Sequence, residues 1–422
     1  MRPAGLTQNP TRPNSWSDAQ GRAYQRSGIG TWTNYDESMA SPYPLPDPLL
    51  LKNGQFVKDT QTWWNQRRAE ILNDFQSEMY GRIPQNTPKV TWEVTGTDGS
   101  AAKGTAIMKS VVGHIDNLRY PRASPSINIT MYTPSNAAGP VPLIVVVVAG
   151  PGGYGGQGAG GPEPAPQPNP PATSPLYQLL AIGWGYATME VGPIQNDNSQ
   201  GLSSGIIALT SAGQPRKPDD WGVLSAWSWG LSRSIDYFET DKSVDAKQLG
   251  VEGHSRYGKA TLLAAALDPR WAIAFASCSG ECGAKPSRRN YGETMDDDAG
   301  SYWMDGNFRK YAGRWNDLPV DSNELIGLVA PRPLFLTGGT GDQWADPHGA
   351  FLAAVAAGPV YRLLGKKDLG TTEMPPPDAA LISGELAFRY HNGPHTDTLD
   401  WPTFLQFAQH YLKAPTGTPP SK

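Results

Sequence analysis

The sequence predicts an α/β protein, a mainly parallel sheet sandwiched between helices, and three observations carry that expectation. Leu143 to Val148 is an apolar, β-branched run without polar alternation, the pattern of a central strand buried on both faces. The second half of the chain repeats strand, loop, helix, the order that builds doubly wound sheets. A short strand, Leu249 to Glu252, turns through Gly253-His254-Ser255 into a helix rich in Ala and Leu over Ala260 to Leu267.

Along the chain, the first part (about 1–60) reads as an irregular wrap, with Pro42, Pro44, Pro46 and Pro48 punctuating Tyr43 and Leu45. Thr60 to Tyr80 has helical spacing, with Trp63, Ile71, Leu72, Phe75 and Met79 on one face. Val90 to Val94 and Ser126 to Tyr132 alternate like strands. Gly150 to Pro175 is low in complexity and reads equally as a site-bearing loop past a strand end or as filler. Tyr186 to Val191 is a strand, and Trp221 to Tyr237 a helix with Trp221, Leu224, Trp227, Leu231 and Ile235 spaced three and four apart. Strands Ala272 to Ser277, Leu334 to Thr337 and Leu386 to Tyr390 follow, with helices Ala350 to Ala357 and Trp401 to Leu412. No internal repeat is present. One catalytic domain over 1–422 with an N-terminal extension is expected.

Composition narrows the function. A net charge of −4 gives no electrostatic footprint for nucleic acid. Leu143 to Ala149, the longest apolar run, is too short to cross a membrane. The polar N-terminus lacks the apolar centre of a signal peptide, so the protein is cytoplasmic or its leader lies outside this numbering. Cys278 and Cys282 have no companion Cys or His set, so neither a metal nor a cofactor is expected. Fourteen Trp supply rigid surfaces that suit sugars, although most Trp serve a core.

The chemistry centres on Gly253-His254-Ser255-Arg256-Tyr257-Gly258-Lys259. A strand before it and a helix after it match the bend that lifts a nucleophilic Ser above a sheet edge in α/β-hydrolases. The helix N-terminus points free N–H groups at the oxygen that becomes negative during acyl transfer. The second glycine comes one place late, after Tyr257. A base should follow the nucleophile in the chain. His395, in the loop Asn392-Gly393-Pro394-His395 between the last strand and the last helix, is the first choice, and His391 its rival. Asp342, past the strand Leu334 to Thr337 on a glycine-rich loop, fits the carboxylate that orients the imidazole. Asp346, before Pro347, is the rival acid and equally a helix cap. Arg256 offers its N–H, and its guanidinium, to an oxyanion. Lys259 lies one turn past Ser255, close to any substrate, or is simply a solvated helix charge.

These residues resemble glucuronoyl esterases, carbohydrate esterase family 15. The resemblance extends through Arg288-Arg289-Asn290-Tyr291-Gly292-Glu293-Thr294, Ala330-Pro331-Arg332-Pro333, Trp344-Ala345-Asp346-Pro347 and Pro359-Val360-Tyr361-Arg362-Leu363-Leu364-Gly365. Arg67-Arg68-Ala69-Glu70-Ile71-Leu72 and Tyr80-Gly81-Arg82-Ile83-Pro84 look like bacterial members. The resemblance implies an α/β-hydrolase that cleaves the ester between 4-O-methyl-glucuronate of glucuronoxylan and lignin alcohols. It also implies a secreted or periplasmic enzyme, and a monomer is expected. By motif, Ser255 would be nucleophile, His395 base and Arg256 the oxyanion-stabilising residue. Lys259 and Glu293 would bind sugar hydroxyls, and Trp344 would pack on the sugar. Fungal members carry a glutamate as acid after the elbow helix, where this chain has Cys278. The acid role then moves to Asp342, with Glu281 as fallback. The alternatives are an acetyl-xylan esterase, a peptidase of the same fold, or a catalytically silent carbohydrate-binding protein.

Overall fold

The computed structural model describes residues 7–8, 15–17, 23–26, 32–40, 43–150, 173–295 and 302–417. Most of the low-complexity stretch, 151–172, lies outside the described residues. The N-terminal extension contains four strands where an irregular wrap was expected. These are β1 (Thr7–Gln8), β2 (Ser15–Ser17), β3 (Ala23–Arg26) and β4 (Trp32–Asn34), paired antiparallel in that order. Strands this short leave no alternation to read in the sequence.

The remaining strands form one ten-stranded sheet. They are β5 (Val90–Ser100), β6 (Ala106–Ile115), β7 (Ser126–Pro134), β8 (Val141–Val148), β9 (Gly185–Glu190), β10 (Val244–His254), β11 (Ile273–Ser277), β12 (Leu334–Gly339), β13 (Ala380–Leu381) and β14 (Leu386–His391). Their spatial order is β13-β14-β12-β11-β10-β8-β9-β7-β6-β5. Neighbours from β14 to β9 run parallel. β5, β6, β7 and β9 pair antiparallel, and β13 closes the other edge antiparallel. β6 had no counterpart in the sequence reading, because its inward and outward residues do not separate into apolar and polar.

The β-branched run behaves as expected. β8 sits between β10 and β9, and its residues bury alternately into two cores. Leu143, Val145 and Val147 join a core shared with helices Val223–Phe238, Arg256–Leu267, Ser322–Val329 and Pro347–Leu363. Ile144 joins Ile273, Phe275 and Phe335 on the other face, under helices Pro175–Ala181 and Trp401–Ala408. There the Phe275 ring lies 4.8 Å from that of Phe404 and 5.1 Å from that of Phe335. Aromatic contacts of this kind add about 1 kcal/mol each beyond burial. The expected N-terminal helix runs Thr60–Thr62, Trp63–Arg67 and Arg68–Glu78 with a π turn in its middle, and it buries Trp63, Ile71, Phe75 and Met79.

In the parallel part every strand points the same way, so β10, β11, β12 and β14 deliver His254, Ser277, Gly339 and His391 to one edge. A further segment reaches that edge from outside the sheet. Tyr302 and Trp303 hang from a turn fixed by Asp305, whose N–H donates to the Met79 carbonyl at 2.9 Å and whose Oδ1 accepts from the Phe308 N–H at 2.9 Å. Its Oδ2 is buried with no hydrogen-bond partner among the described residues. Burial pushes this carboxyl up to about 7. Its folded pKa therefore lies above the ordinary value of about 3.9, so the group favours folding below about pH 4. That contribution is lost as pH rises towards 7. Asp305→Asn should raise the melting temperature at pH 8 and leave it nearly unchanged at pH 4.5. Thermal melts at both pH values test this, and a lower melting temperature at pH 8 would refute it.

Candidate active site

Ser255 sits between β10 and the helix Arg256–Leu267 with φ 58° and ψ −126°. A β-carbon is strained there, typically by about 1–3 kcal/mol, and such strain persists only where the surroundings over-determine it. The surroundings do so. The Ser255 N–H donates to the Ser277 carbonyl at 2.9 Å, tying the bend to the end of β11. A Cβ at Gly253 would lie 2.5 Å from the Tyr257 carbonyl oxygen and 2.5 Å from Thr261 Oγ1. One at Gly258 would lie 2.8 Å from the Ser277 oxygen and 2.9 Å from the Gly253 oxygen. The late glycine thus faces the early one across the bend, and the Tyr257 backbone packs directly against Gly253.

His395 donates from Nδ1 to Asp342 Oδ2 at 2.7 Å, and the Asp342 side chain is buried. The two loops that carry them are stitched together. The Thr340 N–H donates to the His391 carbonyl at 3.0 Å, and the Gly341 N–H to the Gly393 carbonyl at 2.8 Å. The His254 ring, next in sequence to Ser255, packs on His395 with centroids 4.3 Å apart. Burial and the nearby His395 push His254 down to about 3, so at neutral pH it is an uncharged wall of the site.

The rival residues have other work. Asp346 caps the helix Pro347–Leu363, accepting from the Gly349 N–H at 2.9 Å and from Arg289 Nε at 2.7 Å. Glu281 is fully buried and bound to Lys285 Nζ at 2.9 Å and Ser287 Oγ at 2.5 Å. His391 is fully buried, behind the loop that bears His395. Cys278 does lie beside the dyad. Its sulfur, an Asp342 oxygen and a His395 nitrogen fall within 4.8 Å of one another, a mixed set of metal-ligating atom types. The carboxylate and imidazole already satisfy each other, however. Burial, reinforced by the Asp342 charge, pushes the Cys278 thiol well up, so it stays protonated and points at the Thr396 carbonyl.

Past the bend, Arg256 and Lys259 lie about one turn apart in the first part of the helix. Arg256 Nη1 binds Asp197 Oδ2 at 2.6 Å, and its guanidinium lies 5.3 Å from the Trp303 ring. Asp197 also accepts from Trp303 Nε1 at 2.8 Å and from the Tyr302 hydroxyl at 3.0 Å. Lys259 is not the solvated helix charge that its sequence position allowed. It is buried, donates to Glu293 Oε2 at 2.7 Å and to the Glu281 carbonyl, and lies 5.6 Å from the same Trp303 ring. Glu293 is joined by its N–H to the Trp344 carbonyl at 2.8 Å, and the Trp344 side chain stays partly exposed. Gly280 leaves room for this pair, since a Cβ there would lie 2.4 Å from Glu293 Oε2. The N-terminal extension supports the same strip. The Gly292 N–H donates to the Asn34 carbonyl at 2.9 Å, and Arg289 pairs with Glu37 at 2.6 Å. Asp197, Tyr302, Trp303 and His254 were not identified from sequence. His254 had its place beside Ser255 as a signal, and the other three had none.

A strained serine at a helix N-terminus, next in sequence to the ring that packs on a carboxylate-bound imidazole, is the set of groups that acyl transfer requires. Comparison with known proteins agrees. Residues 216–365 match the family described as glucuronyl esterase, fungi. The fold superposes on a CE15 glucuronoyl esterase from Teredinibacter turnerae with a TM-score of 0.82 at 37% identity, covering 90% of this chain and 92% of the other. The carbohydrate esterase MZ0003, from an unknown prokaryotic organism, is 32% identical over 90% of this chain and 92% of its own length. A 4-O-methyl-glucuronoyl methylesterase from Wolfiporia cocos is 27% identical over 77% of this chain and 73% of its own. With that extent of identity on an α/β-hydrolase frame, the chain belongs to carbohydrate esterase family 15, the glucuronoyl esterases.

Proposed function

We propose that this protein hydrolyses the ester between 4-O-methyl-glucuronate on glucuronoxylan and lignin alcohols, acting as a secreted or periplasmic monomer without a metal. The 2.7 Å contact between His395 and Asp342, at the edge where the elbow presents Ser255, carries the reading. In the first step the Ser255 hydroxyl attacks the ester carbonyl carbon while His395 takes its proton at Nε2. Asp342 holds the other ring N–H, which fixes the tautomer and favours the imidazolium that forms. The carbonyl oxygen becomes negative, facing the helix N-terminus and the Arg256 guanidinium that Asp197 holds. His395 then gives its proton to the departing alcohol, leaving an acyl group on Ser255. Water, activated by the same imidazole, releases the uronic acid. Lys259 and Glu293 present a buried donor and acceptor to sugar hydroxyls, while Trp344 and Trp303 offer flat faces to a pyranose ring. That polar pair favours a uronate over an acetyl ester, which has no ring hydroxyls to hold.

Ser255→Ala should lower turnover of benzyl glucuronate by ~10⁴-fold or more with folding intact, because the hydroxyl supplies chemistry and not packing. Retention of a tenth of the activity would remove Ser255 from the role. Asp342→Asn should cut kcat by up to ~10⁴-fold with KM nearly unchanged, whereas Cys278→Ala, which removes no charge, should be nearly silent. An active Asp342→Asn enzyme would show that the orienting carboxylate is another. Lys259→Met should raise KM for glucuronate esters more than for a simple acetyl ester. Its loss also leaves Glu293 short of its counter-ion in a buried place, typically a cost of about 3–5 kcal/mol, so stability will fall as well. Comparing the two substrates within one variant cancels that effect. Equal losses on both would mean that Lys259 only holds the fold.

A further inference from the structure

β14 ends at His391, whose side chain is fully buried, and the next residues, Asn392-Gly393-Pro394, deliver His395. Both nitrogens of the His391 ring face oxygen. Nδ1 lies 3.0 Å from Asp400 Oδ2, and Nε2 lies 2.9 Å from the Pro394 carbonyl. A carbonyl oxygen can only accept, so Nε2 carries a hydrogen. Burial raises the Asp400 carboxyl, while the bond to His391 and the Arg389 guanidinium, 3.6 Å from its Oδ1, act the other way; of the pair the imidazole is the stronger base and keeps the proton, so the carboxylate likewise accepts. Neutral imidazole has one N–H and cannot serve two acceptors. The imidazolium serves both. The other charged groups nearby do not contradict this: Arg389 is shared with Asp378 at 3.7 Å, and His254 is uncharged. Burial works against the charge on His391, but the bonds to Asp400 and Pro394 outweigh it and raise its pKa.

We propose that His391 is a positioning residue, a buried imidazolium that clamps the Pro394 carbonyl to Asp400 and so fixes the loop presenting His395. Proline gives this clamp its point. Pro394 has no N–H, so its carbonyl is the one backbone group by which that residue can be anchored. The space is closed from the β12 side as well, since a Cβ at Gly339 would lie 2.5 Å from His391 Nε2 and 2.6 Å from the Pro394 oxygen. The positioning role rests on His395 serving as the base, whereas the charge on His391 does not.

The test has two arms. In the full chain labelled with ¹⁵N-histidine, His391 should show two protonated ring nitrogens at pH 7.5. A single N–H there would overturn the proposal, and this measurement needs no variant. In the second arm, His391→Gln should lower kcat on benzyl glucuronate about ten- to a hundredfold, as expected for a base displaced by up to ~1 Å, with KM within about twofold. A folded His391→Gln enzyme with wild-type kcat would overturn the positioning role. If His391→Gln does not fold, the spectrum of the wild-type chain alone decides. Activity surviving in His395→Ala would refute the base assignment instead, and it would leave the two N–H signals of His391 in place.

Discussion

The site depends on one backbone constraint, the bend at Ser255 where β10 becomes a helix. A strand and a helix cannot meet this closely if their backbones carry side chains at the crossing point. Gly253 and Gly258 remove those side chains, and the Ser277 carbonyl receives both the Ser255 N–H and the approach of Gly258. The end of β11 is thereby fixed relative to Ser255. β12 is in register with β11, and β14 with β12, so the loops bearing Asp342 and His395 inherit their positions from that same contact. The relative placement of Asp342, His395 and Ser255 is a consequence of sheet register with few independent parts.

Beyond β11 the chain solves a different problem. From Cys278 to Thr294 nearly every residue is buried, although the segment contains neither strand nor helix. Buried irregular backbone must find partners for its polar groups, or pay a desolvation cost for each one. Here cations supply much of the answer. Lys285 donates to the Pro286 and Arg289 carbonyls while paired with Glu281. Arg288 donates to the Val320 and Leu318 carbonyls while paired with Asp321. Lys259 does the same for the Glu281 carbonyl while paired with Glu293. Buried pairs of this sort contribute little net stability, yet breaking one is costly, so they favour a single arrangement of the segment. The Lys259–Glu293 pair, assigned to sugar hydroxyls under the proposed function, is the most exposed member of that series. Under that reading one pair would both meet the substrate and hold the loop.

This explains what could be read in the sequence. The central strand, the elbow, His395 and Asp342 were legible because each is marked locally: a β-branched run, a strand-turn-helix, and two loops past strand ends. Asp346 was legible as a cap for the same reason, with Pro347 behind it. Lys259 was ambiguous, because helix position alone cannot distinguish a solvated amine from one aimed at a loop 34 residues away. Asp197 and Trp303 were invisible. They meet across 106 residues, and neither sits in a motif that announces a partner. β6 and the short strands β1 to β4 failed for want of periodicity, not for want of structure.

The proposed role of Asp342 as the acid, in place of the fungal glutamate that the resemblance implies at Cys278, is compatible with the same sheet register. β11 and β12 are adjacent and parallel, with Ser277 opposite Thr337, so the residues that follow them emerge side by side. The Cys278 N–H donates to the Thr337 carbonyl at 3.0 Å, which keeps the two chains together one step past the register pair. A carboxylate placed after either strand can therefore reach the same imidazole nitrogen, and moving it from one to the other alters neither the sheet nor His395. What it does alter is the vacated place. A second carboxylate there would face Asp342 at close range, and two like charges cannot both stay ionised so near each other without raising a pKa. A protonated thiol fills that volume without charge. Cys278 is thus the complement of Asp342: a small, buried, neutral group that leaves one anion to one imidazole.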